Sequence, residues 1–582
     1  MHILNLLSFA CALAAPCIAA IQSPFTTKER GEDEGYNFKY PIRKVAIVGA
    51  GPSGLIAYRE LTEVSLQVRV FERDNVPGGN WHYTEDPPRD APVPNAPVSL
   101  ADFVPSLPPP GVVLPYSEIY ENGEGEDEWR YFRGPSPVWE SLKSNAPAPL
   151  QQIPDFPWPA GTQWELTQRQ LQSYMRAFAS LHGANSNDDN PSFAYNTRVE
   201  LIEKRLNDAG EEEGWRLWLK ELVPDLASGK TRATWWTEEF DAVIVASGRY
   251  NAPYMPDIPG LAEWKARFSH QLAHSRSYRR PESLDNKTVL IVGAQTSGAE
   301  ISRDINKHAK QVLQSIKAHP DEHKDISAVG LLARLPRNTT IVPEIKQFLP
   351  LEDGSTLESS KIELVNGTIL TGIDHIIFAT GYRYSYPFLP QYYNESVYVP
   401  REGASDKAVP FIALSGEYLR DLHLDLFYIR DPTLAFLSIT FRMQTFTYCG
   451  YQSLALAKVW TGTAKLPDTD TMWEMYDDLV KERGGIGKTL PYLGPGQHEG
   501  MRRRYIGWLN EAANKYGGKQ IDGVPKYTDE VGRYWWAAQY GVPLNGEESA
   551  LSAYMAGFGG LDLFAEGESQ QNIIDALWDV DW

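Results

Sequence analysis

A chain of 582 residues is too long for one hydrophobic core and predicts two or three domains. With 42% hydrophobic and 22% charged residues it reads as globular rather than disordered. A formal net charge of −20 argues against a nucleic-acid partner, because binding a phosphate backbone requires a positive surface.

The first twenty residues, MHILNLLSFACALAAPCIAA, are apolar and end in small residues. This predicts a signal peptide over residues 1–20, cleaved after Ala20, and a product in the secretory-pathway lumen or secreted. The stretch lacks a Lys or Arg at its start, so an uncleaved anchor is the alternative. No later stretch has the roughly twenty apolar residues of a membrane span, and none is expected in the mature chain. Cleavage would remove Cys11 and Cys17 and leave Cys449 alone, without a disulfide or a redox pair. Asn286, Asn338, Asn366 and Asn394 open N-x-[ST] sequons compatible with a glycoprotein. The acidic runs at 31–35, 121–128 and 211–214 are expected as solvated loops.

Residues 21–41 are polar and expected as a loose leader. RKVAIVGAGPSGLIAYREL then reads as buried strand, glycine turn and helix. Gly49 permits the tight turn, Gly51 lets backbone N–H groups approach a pyrophosphate, and Gly54 lets the helix pack closely. Ala50, Pro52 and Ser53 complete that loop, and the helix start favours anions. Glu72 ends the next strand, where a carboxylate accepts ribose hydroxyls and repels a 2′-phosphate. The first module should therefore hold FAD or NAD rather than NADP. PGGNWHY, with Gly79, Asn80 and Trp81, is a second glycine turn suited to lie along a long dinucleotide, which favours the flavin.

Residues 84–115 are dense in Pro and lack periodicity, and are expected as a surface insertion. TQRQLQSYMRAFASLHG predicts an amphipathic helix closed by Gly183. β-rich sequence follows to FDAVIVASG. NKTVLIVGAQTSGAEISRDI opens a second strand-turn-helix. Gly293 and Gly298 keep two glycine positions, Gln295 takes the middle one, and Ser297, Ala299 and Glu300 begin the helix. QVLQSIKA and HIIFATGY read as further strands, and the last two hundred residues are aromatic-rich with helical patterning. The eleven histidines do not fall into ligand spacing. His270 and His274 would hold a metal only from one helix, and H-E-x-x-H lacks its Glu here, so no metal is expected.

With these residues in place the sequence resembles the flavin-containing monooxygenase family, a class B flavoprotein monooxygenase group. GAGPSG, Glu72 and GGNW match its FAD site. SPVWESLKSNAPAPL is similar to its Y-x-x-L-x-T-N-x-P-K stretch, with Ser144 and Asn145 at the Thr-Asn position. FDAVIVASGRYNAPYMPDIPG resembles its first crossover, and FATGY, with Thr380 and Gly381, its return strand. The fingerprint F-x-G-x-x-x-H-x-x-x-[Y/F] stands as FSHQLAHSRSY: Phe268, His274 and Tyr278 match, and His270 replaces the glycine.

The resemblance implies an α/β fold with two doubly wound Rossmann-like domains, the NADPH domain inserted in the FAD domain. The boundaries would be 42–249 for the first part of the FAD domain, 250–372 for the NADPH domain, and 373–582 for the second part with a helical C-terminal region. It implies NADPH reduction of FAD, addition of O2 at flavin C4a, and transfer of oxygen from the hydroperoxide to a nucleophilic sulfur or nitrogen. The substrate would be a small molecule or modified peptide, as in secondary metabolism. Asn145 would face the flavin; a turn-stabilising Asn is the alternative. Lys317 would meet the NADPH 2′-phosphate; a solvated strand-end lysine is the alternative. Baeyer–Villiger attack on a ketone is the competing chemistry, and Tyr278 in place of Trp speaks against it. A flavoprotein reductase and a redox-inactive ligand holder are the other classes weighed.

Overall fold

The computed structural model of the chain describes residues 35–522 apart from 92–93, 95–97, 122, 226, 318–334, 337, 395–411, 415, 442 and 494–496. The expected signal peptide, nearly all of the first acidic run and residues 523–582 lie outside the described residues.

The run KVAIV forms the strand Lys44–Val48 in a seven-stranded sheet. The sheet runs Leu422–His423, Phe427–Tyr428, Leu434–Phe436, Ala242–Val245, Lys44–Val48, Gln67–Phe71, Phe193–Ala194. Its last five members are parallel. Both faces are covered, which is why the central strands are unbroken apolar runs rather than alternating ones. Val45 and Ile47 pack under the helices Pro52–Glu63 and Thr445–Trp460. Ala46 and Val48 pack on the other side with Trp215, Leu217 and Leu219. Those three belong to the strand Glu212–Asp225 of a four-stranded antiparallel sheet, completed by Tyr116–Tyr120, Lys230–Phe240 and Thr197–Leu206.

A second, five-stranded parallel sheet runs Leu272–His274, His375–Phe378, Thr288–Val292, Gln311–Ile316, Thr340–Pro343. In sequence it lies between Ala242–Val245 and Leu434–Phe436, which are neighbours in the first sheet. One doubly wound unit is thus inserted in the other. The chain leaves and returns through a short antiparallel ribbon, Ala252–Pro253 against Tyr382–Arg383. The Thr380 hydroxyl donates to the Tyr254 carbonyl beside it, and the Tyr254 N–H donates to the Gly381 carbonyl at 2.9 Å.

The amphipathic helix forms as Gln168–Leu181, opened by a reciprocal Thr167–Gln170 capping box and followed by Gly183 at φ +60°. The C-terminal region adds Thr445–Trp460, Thr469–Glu482 and Gln497–Tyr516. Cys449 is buried in the first of these as a free thiol. Among the described residues no helix is long and apolar enough to cross a membrane.

Three expectations are corrected, and the Pro-rich stretch, with Leu100, Val104, Leu107 and Val113 exposed, keeps its surface position but gains anchors. The 211–214 run opens the strand Glu212–Asp225, with Glu212 bound by Lys39 at 3.0 Å and Glu213 by Arg205 at 2.9 Å. The 121–128 run enters the helix Gly123–Arg133. The end of the leader is docked: Tyr36 N–H donates to the Leu466 carbonyl, and Tyr36, Phe38 and Tyr40 pack on the main core. The Pro-rich insertion is anchored as well. It buries Ala91 and Ala101 and ties the two units together, through Asp102 to Arg73 and Asp90 to Lys265. Proline removes the periodic pattern without removing the carbonyls and carboxylates that arginine and lysine hold.

Candidate active site

The strand Lys44–Val48 delivers Gly49 at φ +107°, where a Cβ would lie 2.8 Å from the Ala246 carbonyl oxygen. A Cβ on Gly54 would lie 1.9 Å from the Gly49 oxygen, so the helix Pro52–Glu63 seats only on glycine. Gly51 has an extended φ of −70° and ψ of −178°, open to any residue, and a Cβ there would meet the Gly79 Cα at an ordinary 3.6 Å, so the fold itself does not demand glycine at this position. Gly79 lies against it: a Cβ on Gly79 would stand 2.9 Å from the Gly51 Cα. The Gly78 N–H donates to the Ala50 carbonyl at 3.0 Å. The two glycine turns thus form one cradle, with Asn80 tied through its carbonyl to the Ser136 hydroxyl and Trp81 packed on the core.

Glu72 locks this cradle. Its Oε2 accepts from Ala50 N–H at 2.7 Å and its Oε1 from Asp74 N–H at 2.8 Å. Burial raises its pKa, opposed by those backbone hydrogen bonds. Each oxygen keeps a further lone pair for a ribose hydroxyl. Ser53 reaches across to Ser438 with its hydroxyl at 2.9 Å.

The segment from Ser136 to Asn145 runs from this cradle towards the second unit. Trp139 meets Tyr278 edge-on at 5.9 Å. Ser144 makes the turn: its hydroxyl donates to the Ala146 carbonyl at 2.7 Å, and Leu166 N–H donates to it. Asn145 is exposed, and among the described residues its amide has no hydrogen bond. The turn is therefore held by the serine, and the asparagine amide is left for something else.

The second loop repeats the first. Gly293 has φ +99° with a Cβ position 2.6 Å from the Ala379 carbonyl oxygen, and a Cβ on Gly298 would be 2.1 Å from the Gly293 oxygen. Gln295 caps the helix Thr296–Ile305 at φ −68° and ψ −178° and is exposed. Ser297 and the buried Ala299 follow in the first turns, and Glu300 pairs with Arg303 at 3.3 Å. Buried Gln314 donates from Nε2 to the Gly293 carbonyl. Lys317, just past the strand Gln311–Ile316, is 76% exposed and 3.6 Å from Glu344.

The fingerprint residues are structural staples. His274 is buried; its Nδ1 accepts from Arg276 N–H at 3.1 Å and its Nε2 contacts the Gly381 carbonyl at 3.0 Å. Burial, and then Arg276, push its pKa down to about 3, so the ring stays neutral. The Tyr278 hydroxyl donates to Asp304, which lies on the helix of the second loop. His270 is exposed in a turn and His274 sits in a strand, so the one-helix metal pair does not exist. Among the described residues no cluster of His, Cys, Asp and Glu suits a metal ion. Thr380 and Gly381 likewise spend their hydroxyl and carbonyl on the ribbon.

A model of flavin-binding monooxygenase-like proteins matches residues 129–322, and one of NAD(P)-binding Rossmann-like domains matches residues 47–101. Flavin-containing monooxygenase iboF of Amanita muscaria is 48% identical over 500 residues, covering 84% of this chain and 92% of that protein. The chain belongs to the flavin-containing monooxygenase family. A second member, flavin-containing monooxygenase ustF2 of Aspergillus flavus, is 31% identical over 486 residues, covering 80% of this chain and 92% of the relative. Among solved structures, S-allyl-L-cysteine S-oxygenase from Allium sativum superposes with a TM-score of 0.58 at 22% identity, covering 88% of this chain and 98% of that one, which bears on the fold.

This flavin-containing monooxygenase is an NADPH-dependent oxidoreductase, with FAD and NADPH as cofactors. Its residues fit two dinucleotides: two glycine cradles that added Cβ atoms would fill, each at the carboxyl end of a parallel sheet. Arg249 and Ser438 escaped the sequence reading. The run SGRYN marked only a crossover, and the contact of Ser438 with Ser53 depends on residues 385 positions apart.

Proposed function

We propose that this monooxygenase transfers one oxygen atom of O2 to a nucleophilic sulfur or nitrogen of a small molecule or modified peptide, with FAD on the first loop and NADPH on the second. The observation that carries the assignment of the loops is the contrast at the two strand ends. Buried Glu72 suits ribose hydroxyls, and exposed Lys317 suits a 2′-phosphate. When bound, the reduced flavin supplies the activation of O2. The protein's part is positioning. The helix Pro52–Glu63 would turn its positive end to the pyrophosphate, and Gly51 and Gly79 carry no side chain that would cover it. Asn145 would offer the flavin an amide that both donates and accepts. Tyr278, engaged with Asp304, favours sulfur or nitrogen over a ketone, since the Baeyer–Villiger branch ends this fingerprint in Trp.

The reading includes export directed by residues 1–20, with exposed Asn286, Asn338 and Asn366 as glycan acceptors. N-terminal sequencing and a glycosidase mass shift on the secreted protein check it.

The test is NADPH oxidation by purified protein with thioethers, amines and ketones, with product mass and peroxide measured together. Sulfoxide or N-oxide with little peroxide is expected; lactone or ester from ketones alone would replace the reading. Asn145→Ala is expected to lower coupled product roughly a hundredfold and raise peroxide. Full coupling in that variant would remove Asn145 from the mechanism.

A further inference from the structure

Arg249 is a half-buried cation that no carboxylate pairs with among the described residues. It follows the strand Ala242–Val245, whose continuation Ala246 bonds from N–H to the Val48 carbonyl at 3.0 Å, right beside Gly49. Its Nη1 donates to the Ser438 carbonyl at 3.0 Å and to the Thr440 carbonyl. Its guanidinium lies 4.2 Å over the Phe441 ring and 5.3 Å from that of Tyr250. Among the described residues no carboxylate pairs with it; its partners are carbonyls, a phenol and ring faces. Other arginines of this unit differ: partly buried Arg69 has Glu238, Arg73 has Asp102 and Arg133 has Asp74, and buried Arg483 has Asp425. In a chain with twenty more acidic than basic residues, a cation at the ligand end of a doubly wound sheet with no carboxylate partner among the described residues is suited to receive an anion.

Position selects the anion. Glu72, the ribose end of the cradle, follows the strand Gln67–Phe71. The Arg249 guanidinium reaches the other way, to the end of the strand Leu434–Phe436, three strand spacings or about 14 Å across the sheet. The pyrophosphate would be met between them by the helix Pro52–Glu63, whose start offers its positive end. With the pyrophosphate on that helix, the Arg249 cation would be left for another anion.

Building on the oxygenase reading above, we propose that Arg249 receives a carboxylate of the substrate, so that the substrate class is a carboxylate-bearing thioether or amine. Phe441 and Tyr250 flank the guanidinium and offer apolar surface to the substrate's body. A guanidinium fork matches a carboxylate in a way an ammonium does not.

The test uses the FAD-loaded full-length enzyme and two isosteric thioethers, methylthioacetate and methylthioacetamide, with their longer homologues. Equilibrium titration, read from the flavin absorbance, needs no turnover. The carboxylate series is expected to bind at least roughly tenfold more tightly than the amides, and Arg249→Gln to erase the difference. Arg249→Lys, which keeps the charge, is expected to keep part of it and serves if the Gln variant does not fold. Equal binding of both series to the unaltered enzyme overturns the proposal. So does a parallel loss on both series, or a variant isolated without flavin, because the guanidinium then serves the fold or the dinucleotide. Product formation is scored separately: if no thioether is oxygenated, the oxygenase reading falls, while the titration still decides whether Arg249 holds a carboxylate.

Discussion

The two glycine loops are near copies in backbone and opposites in surroundings. Each strand ends in a glycine of positive φ, +107° at Gly49 and +99° at Gly293, and each helix seats its last loop glycine within 2.1 Å of a carbonyl oxygen by the position a Cβ would take. Even the middle position agrees, with φ and ψ of −70° and −178° for Gly51 and −68° and −178° for Gln295. Gln295 therefore distorts nothing. What differs is what closes over each loop. The first is covered by the Gly78–Gly79 turn and clamped by a buried carboxylate, Glu72. The second leaves Gln295 exposed, is braced by the neutral Gln314, and has an exposed lysine at the next strand end. The backbone demands glycine at the first and last positions of both loops and at Gly79, whereas a Cβ at Gly51 would meet the Gly79 Cα at an ordinary 3.6 Å, so the middle position is free to differ. The geometry suits a cofactor that stays in the first loop and one that comes and goes in the second.

The largest expected effect on this contrast comes from Glu72→Ala. It strands the N–H groups of Ala50 and Asp74, at roughly 2–4 kcal/mol in stability, and removes the ribose acceptor. The purified variant should be colourless; a yellow, stable protein would mean the clamp is dispensable. Next comes Lys317→Ala. It should narrow the preference for NADPH over NADH by about fivefold, the scale of one exposed charge pair. Unchanged discrimination in steady-state kinetics would move the 2′-phosphate elsewhere. The smallest is Gln295→Gly, which should alter stability by less than about 1 kcal/mol. It should raise the apparent KM for NADPH about threefold if the amide meets a phosphate oxygen; no change in KM or peroxide leakage would show that it does not.

Both loops were legible because a glycine forced by φ or by clearance is recorded in the residue type itself. The apolar runs flanking them were legible because parallel strands are covered on both faces. The proposal for Asn145 rests on the order of motifs around it, and the structure adds that Ser144, rather than Asn145, holds the turn. The misreadings share a cause: side chains that look solvated or irregular in one dimension acquire partners in three. Glu212 is matched by Lys39 across 173 positions, and the Pro-rich segment is pinned through Asp90 by Lys265. His270 and His274 have helical spacing, yet a turn and a strand hold them. The anion preference at Arg249 could not be read at all, because it depends on which carboxylates are missing around it.

The division of labour between the loops is tested most directly by alanine at each first glycine, with bound flavin and its anaerobic reduction by NADPH measured on both variants. Gly49→Ala is expected to yield protein without FAD. Gly293→Ala is expected to yield yellow protein whose flavin NADPH no longer reduces. A colourless Gly293→Ala protein, or one reduced at the rate of the unaltered enzyme, would contradict the account.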